Sequence, residues 1–434
     1  MSTSNLTPLK RVLTRLFPEQ WLNQTAKATG AVSRRRKVRI VDWFWAVVLG
    51  YGVSKQRTIA DLRRTYENST GTTIEESSFY DRFTSGALRL LKKAVGRGLN
   101  EVRAASGRLK GALAAFEDLL LIDSSVIRLH DLLKGAYGGT RTNHSKAAAK
   151  LHVVMSVIKA SATRLRVTAE RVNDRTPWKR VGQWVRGRLL LFDLGYYSYG
   201  LFARIDNNEG FFLSRLKANT NPRIVGANRK WRGKSRSVVG QRLRDAIDGL
   251  RREVIDVNVE VSFERRAYRG RSHRDTRVFR VVGVRNDETG IYHLYMTNIA
   301  PAVLDAEQLA ETYRLRWQVE LLFKELKSHY RLEQMPSGKR VIVEALLHAA
   351  ILTLIVSRAL LDALRKTLPA GRHVPMLRWA AVFDALAPRL LDALTTTGQR
   401  LAGAPDDPWQ LLASQAMDPN LARALAPDCA VDYA

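Results

Sequence analysis

Apolar positions along the chain follow two periodicities, and the changes between them mark its organisation. Up to about residue 110 the spacing is helical. Trp43 to Tyr51 (WFWAVVLGY) is apolar throughout and predicts a buried helix. Residues 58–67 and 76–94 predict two further helices around a turn at Asn68 to Thr73. Studded with arginine, they suggest a helix-turn-helix-like module. Near residue 117 the pattern shortens to strand-length runs. Leu119 to Ile122 (LLLI), Leu151 to Ile158, Leu165 to Val172 and Leu189 to Phe192 (LLLF) predict four strands. A helix over 197–206 and a fifth strand at Gly210 to Leu216 follow. This mixture predicts an α/β sheet.

Residues 218–300 interrupt that scheme. Glu253 to Phe263, Thr276 to Val284 and Ile291 to Thr297 alternate like strands, which predicts a basic, mostly β insertion. One long helix is expected from Asp305 to His329, opened by a capping box of Asp305 and Gln308. The remainder reads as helical. Its longest apolar run, Ala345 to Ser357, spans about 13 residues where a membrane span needs about 20, so a core helix is expected. The predicted organisation is a helical DNA-binding domain (1–110), a first core part (111–217), the insertion (218–300), a second core part (301–345) and a helical C-terminal region (346–434).

Charge adds a partner to this outline. The 434 residues include 71 Lys+Arg against 41 Asp+Glu, a formal net charge of +30. An excess of that size implies a polyanion, and nucleic acid is the first candidate. It is uneven: residues 1–110 carry net +13 and residues 341–434 net −1. The near-neutral end is expected to contact protein, within or between subunits. Arg34, Arg35, Arg36 and Lys37 form a run that suits either phosphate contact or a solvated loop. Cys429 is the single cysteine, so no intrachain disulfide or cysteine-based zinc finger is possible. With no secretory h-region at the N-terminus, a cytoplasmic, nucleoid-associated protein is expected. The histidines show no zinc spacing, and no phosphate-binding loop motif occurs.

The candidate chemistry lies in carboxylates. Asp123 and Asp193 each end an apolar strand run, where α/β sheets place ligands. Aspartate also simply ends strands. In YRLRWQVELLFKELKSHY, at about 100° per residue, Tyr313, Arg316, Glu320 and Lys327 fall within an arc of about 60°. Leu315, Val319, Leu322, Phe323 and Leu326 form the adjoining apolar face. Glu325 projects well away, so geometry selects Glu320 as a third carboxylate. The same spacing also suits an ordinary amphipathic helix with i,i+4 ion pairs.

The spacing Y-(2)-R-(3)-E-(6)-K, together with LLLIDSS and LLLFDLGYYSYGLFARI, resembles DDE transposases of the bacterial "insertion sequence four" family. The likeness covers roughly residues 117–335. It implies an RNase H-like catalytic core interrupted by the β insertion. It implies Asp123, Asp193 and Glu320 as ligands of Mg²⁺ or Mn²⁺, two ions in all, whose hard charge suits carboxylate oxygens. Tyr313, Arg316 and Lys327 would hold the transposon end. The implied activity is cut-and-paste transposition through a hairpin intermediate, by a homodimer on double-stranded inverted-repeat ends and target DNA. The other readings are a catalytically silent DNA-binding relative and a metal-dependent nuclease without strand transfer.

Lys150, Arg215 and Lys217 flank the strand ends and are expected to contact DNA phosphates or to be plain surface charge. A tight hairpin needs an unstacked base held by an aromatic ring. Tyr292, Tyr295 and Trp231 are the candidates, each also readable as a packing aromatic. Trp317 reads as a packing residue at the site margin.

Overall fold

A computed structural model of the chain describes residues 6–32, 38–51, 58–103, 107–140, 146–178, 181–229, 237–248, 250, 252–268, 271–286, 288–330, 332–333, 335–369, 372–395, 408–417 and 431–432. Arg34 to Lys37, Trp231 and Cys429 lie outside these residues. The short β1 (Arg108–Leu109) pairs with β11 (Val431–Asp432). The other strands are β2 (Asp118–Arg128), β3 (Ala148–Ser156), β4 (Ser161–Ala169), β5 (Arg188–Phe192), β6 (Phe211–Arg215), β7 (Arg223–Ala227), β8 (Val254–Tyr268), β9 (Arg271–Arg285) and β10 (Tyr292–Thr297). They form one sheet in the order β4-β3-β2-β5-β6-β10-β9-β8-β7. β5 runs parallel to β2 and to β6; every other pairing is antiparallel. The helix Tyr199–Asn207 makes the crossover from β5 to β6. The strands of residues 218–300 extend the same sheet, joined to it where Tyr295 of β10 pairs with Arg215 of β6.

Consecutive strand residues point to opposite faces, and both faces are covered. Leu119, Leu121, Leu189 and Leu191 face a core built with the N- and C-terminal helices. Leu120, Ile122, Leu190 and Phe192 face a second core with the helix Tyr199–Asn207 and the strands β7 to β10. Continuous apolar runs are what two-sided burial requires. The helix Arg340–Arg365 is the centre of the first core; by length and composition it could cross a membrane, yet 83% of its most apolar window is buried inside the molecule. The N-terminal helix Ser85–Arg103 packs closely on it. A Cβ on Gly98 would come within 2.6 Å of Ile355, so a larger residue there would force the two helices apart.

Three predicted elements differ from those observed. The helix expected over 76–94 is two, Glu76–Tyr80 and Ser85–Arg103. Phe79 and Phe83 both turn into the core and meet edge to face, and Thr84 restarts the helix by accepting the Ala87 N–H at 3.1 Å. The helix expected over 305–329 also breaks, into Ala306–Arg314 and Trp317–Ser328. Its capping box forms as expected. At the break Leu315 and Arg316 donate to Thr312 and Tyr313, a tight turn in place of α geometry. Finally, β2 does not end at Asp123 but runs on to Arg128.

Candidate active site

The site forms where two parallel strands part. Their pairing ends at Ile122 opposite Phe192. There β5 stops, whereas β2 continues beside β3 alone. Asp123 and Asp193 are the next residues on each strand, so they flank the opening. Asp193 leaves its strand as the cap of a short 3₁₀ turn, its Oδ2 accepting the Gly195 N–H at 3.4 Å. Asp123 Oδ1 accepts the Ser124 N–H at 2.7 Å.

The helix Trp317–Ser328 covers the opening from the side of the first core. Val319, Leu322, Phe323 and Leu326 are buried against that core, which leaves Glu320 one third exposed at the mouth. Arg316 spans two of the acids: Nη2 lies 2.6 Å from Glu320 Oε1 and Nη1 3.5 Å from Asp123 Oδ2. The broken helix aids this, because the tight turn swings Arg316 over the Tyr313 ring, 6.0 Å away. Burial pushes the Asp123 carboxyl up to about 6, and the charges of Asp193 and Glu320 add to that. The Ser124 N–H and Arg316 oppose the rise without cancelling it. The mouth thus gathers three carboxylates, with Arg316 bridging two of them.

Glu325, five residues on, is wholly buried and paired with Arg358. It faces away from the opening, and Glu320 is the helix carboxylate that faces it. Tyr313 is buried, and its hydroxyl donates to the Phe192 carbonyl at 3.0 Å. It holds the backbone just before Asp193 rather than presenting its phenol to solvent. Its ring packs on buried Tyr295 at 5.3 Å. Tyr292 donates to the Arg252 carbonyl. Trp317, expected to pack, is instead 60% exposed beside Arg316.

The basic candidates divide. Arg215 is exposed, contacts His293 at 3.3 Å, and acts electrostatically on Tyr313. Lys217 lies over the Tyr197 ring at 5.7 Å. Lys327 pairs with Glu333 at 2.7 Å, about two turns beyond Glu320. Lys150 is mostly buried, its ammonium 3.0 Å from Asp174 and bonded to the Val172 carbonyl.

Asp174 itself, with Ser124, His152 and Tyr196, escaped sequence reasoning. Ser124 Oγ donates to Asp174 Oδ1 at 2.8 Å. Asp174 lies in the loop after β4, where no apolar period marks it; only its partners in space do. Among the described residues no three acidic, histidine or cysteine side chains form a ready-made cation-binding group. Arg316 stands between two of the candidate carboxylates, and their oxygens are the hard donors that Mg²⁺ and Mn²⁺ prefer.

Two aspartates where the parallel strands part and a helix-borne glutamate thus lie at one mouth of a mixed sheet. The sequence pattern of the family described as "Transposase DDE domain" matches residues 114–356. The chain belongs to that family and is a DDE-type transposase. It is 22% identical over 393 residues to the transposase for insertion sequence element IS231B of Bacillus thuringiensis subsp. berliner, covering 82% of this chain and 80% of that one. With the transposase for IS1151 of Clostridium perfringens it shares 19% over 375 residues, covering 80% and 79%. Both are of the insertion sequence four type that the signature resembles. A solved piggyBac transposase synaptic complex with hairpin DNA overlays 96% of this chain and 85% of its own, with a TM-score of 0.48 and 12% identity.

Proposed function

We propose that the protein is a cut-and-paste DNA transposase that cleaves and rejoins transposon ends at the Asp123–Asp193–Glu320 mouth, through a hairpin intermediate. The meeting of Asp123 and Glu320, from distant chain segments, on Arg316, with Asp193 at the adjoining strand end, carries this reading. The order β4-β3-β2-β5-β6, antiparallel at first and then parallel, supports an RNase H-like core with residues 218–300 inserted before the glutamate helix.

Asp123, Asp193 and Glu320 are the residues that would hold Mg²⁺ or Mn²⁺. When bound, a pair of such ions supplies the charge that activates an attacking water or 3′-hydroxyl and stabilises the leaving oxygen. The protein's own part is placement. Ser124 and Tyr313 fix the two strand ends. Arg316 limits repulsion among the acids, and once a cation shares them its guanidinium can turn to a DNA phosphate. Arg215, outside the acid cluster, and exposed Trp317 offer contacts to phosphate and base. The net charge of +30 serves double-stranded DNA, the inverted-repeat ends first and then the target, inside the bacterial cytoplasm. The near-neutral C-terminal helices suit bracing of a homodimeric synaptic complex.

Incubating the protein with the DNA flanking its own gene and Mg²⁺, followed by a denaturing gel, tests the reading. Nicks and hairpins at the repeat ends are expected. Tight, specific end binding with no cleavage in Mg²⁺ or Mn²⁺ would instead make it a silent DNA-binding relative. Cleavage with no joined product would make it a nuclease.

A further inference from the structure

Asp123 and Ser124 point to opposite faces of β2, as neighbours on a strand must. Asp123 looks toward the glutamate helix. Ser124 looks to the second face, where it lies in register with His152 of β3. On that face Ser124 Oγ and the Lys150 ammonium both reach Asp174 Oδ1, at 2.8 and 3.0 Å. The other carboxylate oxygen turns toward the opening. A Cβ built on Gly195 would lie 3.4 Å from Asp174 Oδ2 and 3.8 Å from Asp193 Oδ2. The two carboxylates therefore both border Gly195, where a Cβ would touch each at ordinary contact distance. His152 does not share the charge load. Burial holds it down at about 4, so it is neutral near pH 7 and bonds Thr168 at 2.9 Å. Lys150 is then the cation that Asp174 must offset.

We propose that Asp174 is a fourth carboxylate of this site, a positioning residue that sets Asp123 through Ser124 and offsets Lys150 so that the mouth attracts a divalent cation. The inference rests on the reading of Asp123, Asp193 and Glu320 as cation ligands. The Ser124 side chain anchored by Asp174 belongs to the same residue whose N–H holds Asp123 Oδ1. Loss of the anchor frees that segment. It also strands a mostly buried ammonium beside the opening, and a stranded buried charge is costly and repels cations. Outer partners that orient metal-binding carboxylates are commonly worth about 10–100-fold in metal affinity.

The test is Mn²⁺ binding to the full-length protein without DNA, read from free Mn²⁺ by electron paramagnetic resonance, with the melting temperature measured alongside. Asp174→Asn should bind Mn²⁺ about tenfold more weakly. Adding Lys150→Met to it should recover most of that loss, which a merely structural role would not predict. Ser124→Ala strands no charge and should weaken binding severalfold; it also serves if Asp174→Asn does not fold. Asp193→Asn is the control. If Asp193→Asn loses Mn²⁺ while Asp174→Asn and Ser124→Ala bind it as the parent does, Asp174 positions nothing. If Lys150→Met restores nothing, the charge-offset role is overturned. If Asp193→Asn itself binds Mn²⁺ normally, the reading of the site falls first, and the role of Asp174 with it.

Discussion

Two carboxylates in this protein are wrapped in opposite ways. Asp123, at the mouth, has one arginine at 3.5 Å and two acidic neighbours, and its carboxyl is pushed up to about 6, by burial first. Glu344, in the central helix, is also largely out of solvent but is met by three donors. Lys92 lies at 2.8 Å, Arg340 at 2.7 Å and the Tyr137 hydroxyl at 3.0 Å. Burial acts to raise Glu344 as well, yet those donors outweigh it and hold it at about 2. Glu344 ties the N-terminal helix Ser85–Arg103 and the loop after β2 to the helix Arg340–Arg365. Charge satisfied on every side is mortar between elements, whereas charge left short is what the proposed cation would answer.

The largest effect expected from this contrast is on chemistry. Asp193→Asn or Glu320→Gln should reduce end cleavage by at least about 10³-fold while leaving end binding and melting temperature near the parent's. Cleavage in Mg²⁺ at the parental rate by either variant would remove the acids from the mechanism. Next comes Arg316→Ala, expected to lower hairpin processing roughly 10- to 100-fold, the worth of a charge-assisted hydrogen bond, with little change in sequence-independent DNA affinity. Equal losses in both assays would show that Arg316 serves general binding and not the mouth.

Glu344→Gln should act the other way round. A loss of about 1–3 kcal/mol in denaturant unfolding is expected, with turnover per folded molecule unchanged. A stable variant with slow chemistry would erase the distinction between the two carboxylates. The smallest effect is in pH. Glu344 titrates lower in the folded chain than in the unfolded one, near 4.5, so its contribution is complete above about pH 4.5. It is lost as pH falls toward 2, and the stability gap between parent and Glu344→Gln should narrow over that window. Asp123 has the reverse sign. Its raised value favours the protonated form in the folded chain, so cation affinity should weaken as pH falls from 7.5 through about 6. A flat response would mean that Asp123 is ionised throughout.

Much of this was legible in the chain itself. Runs such as LLLI and LLLF declare strands covered on both faces, and the spacing of Tyr313, Arg316 and Glu320 put arginine and carboxylate on one side of the mouth. Single-residue properties, and angles within one unbroken helix such as the i,i+4 pair Arg316–Glu320, are local, so sequence determines them; the break after Arg314 was not so determined. The resemblance of the signature then supplied the family. What sequence could not decide is where unlike segments meet. That β2 outruns β5, opening a gap at Asp123, depends on which strand pairs with which. That Tyr313 spends its hydroxyl on the Phe192 carbonyl, that Lys327 turns to Glu333, and that Lys150 turns inward to Asp174 are choices among partners brought near only by folding. A charged side chain carries its charge in the sequence, but whether that charge is spent inside the molecule or offered outside it is settled by its neighbours in space.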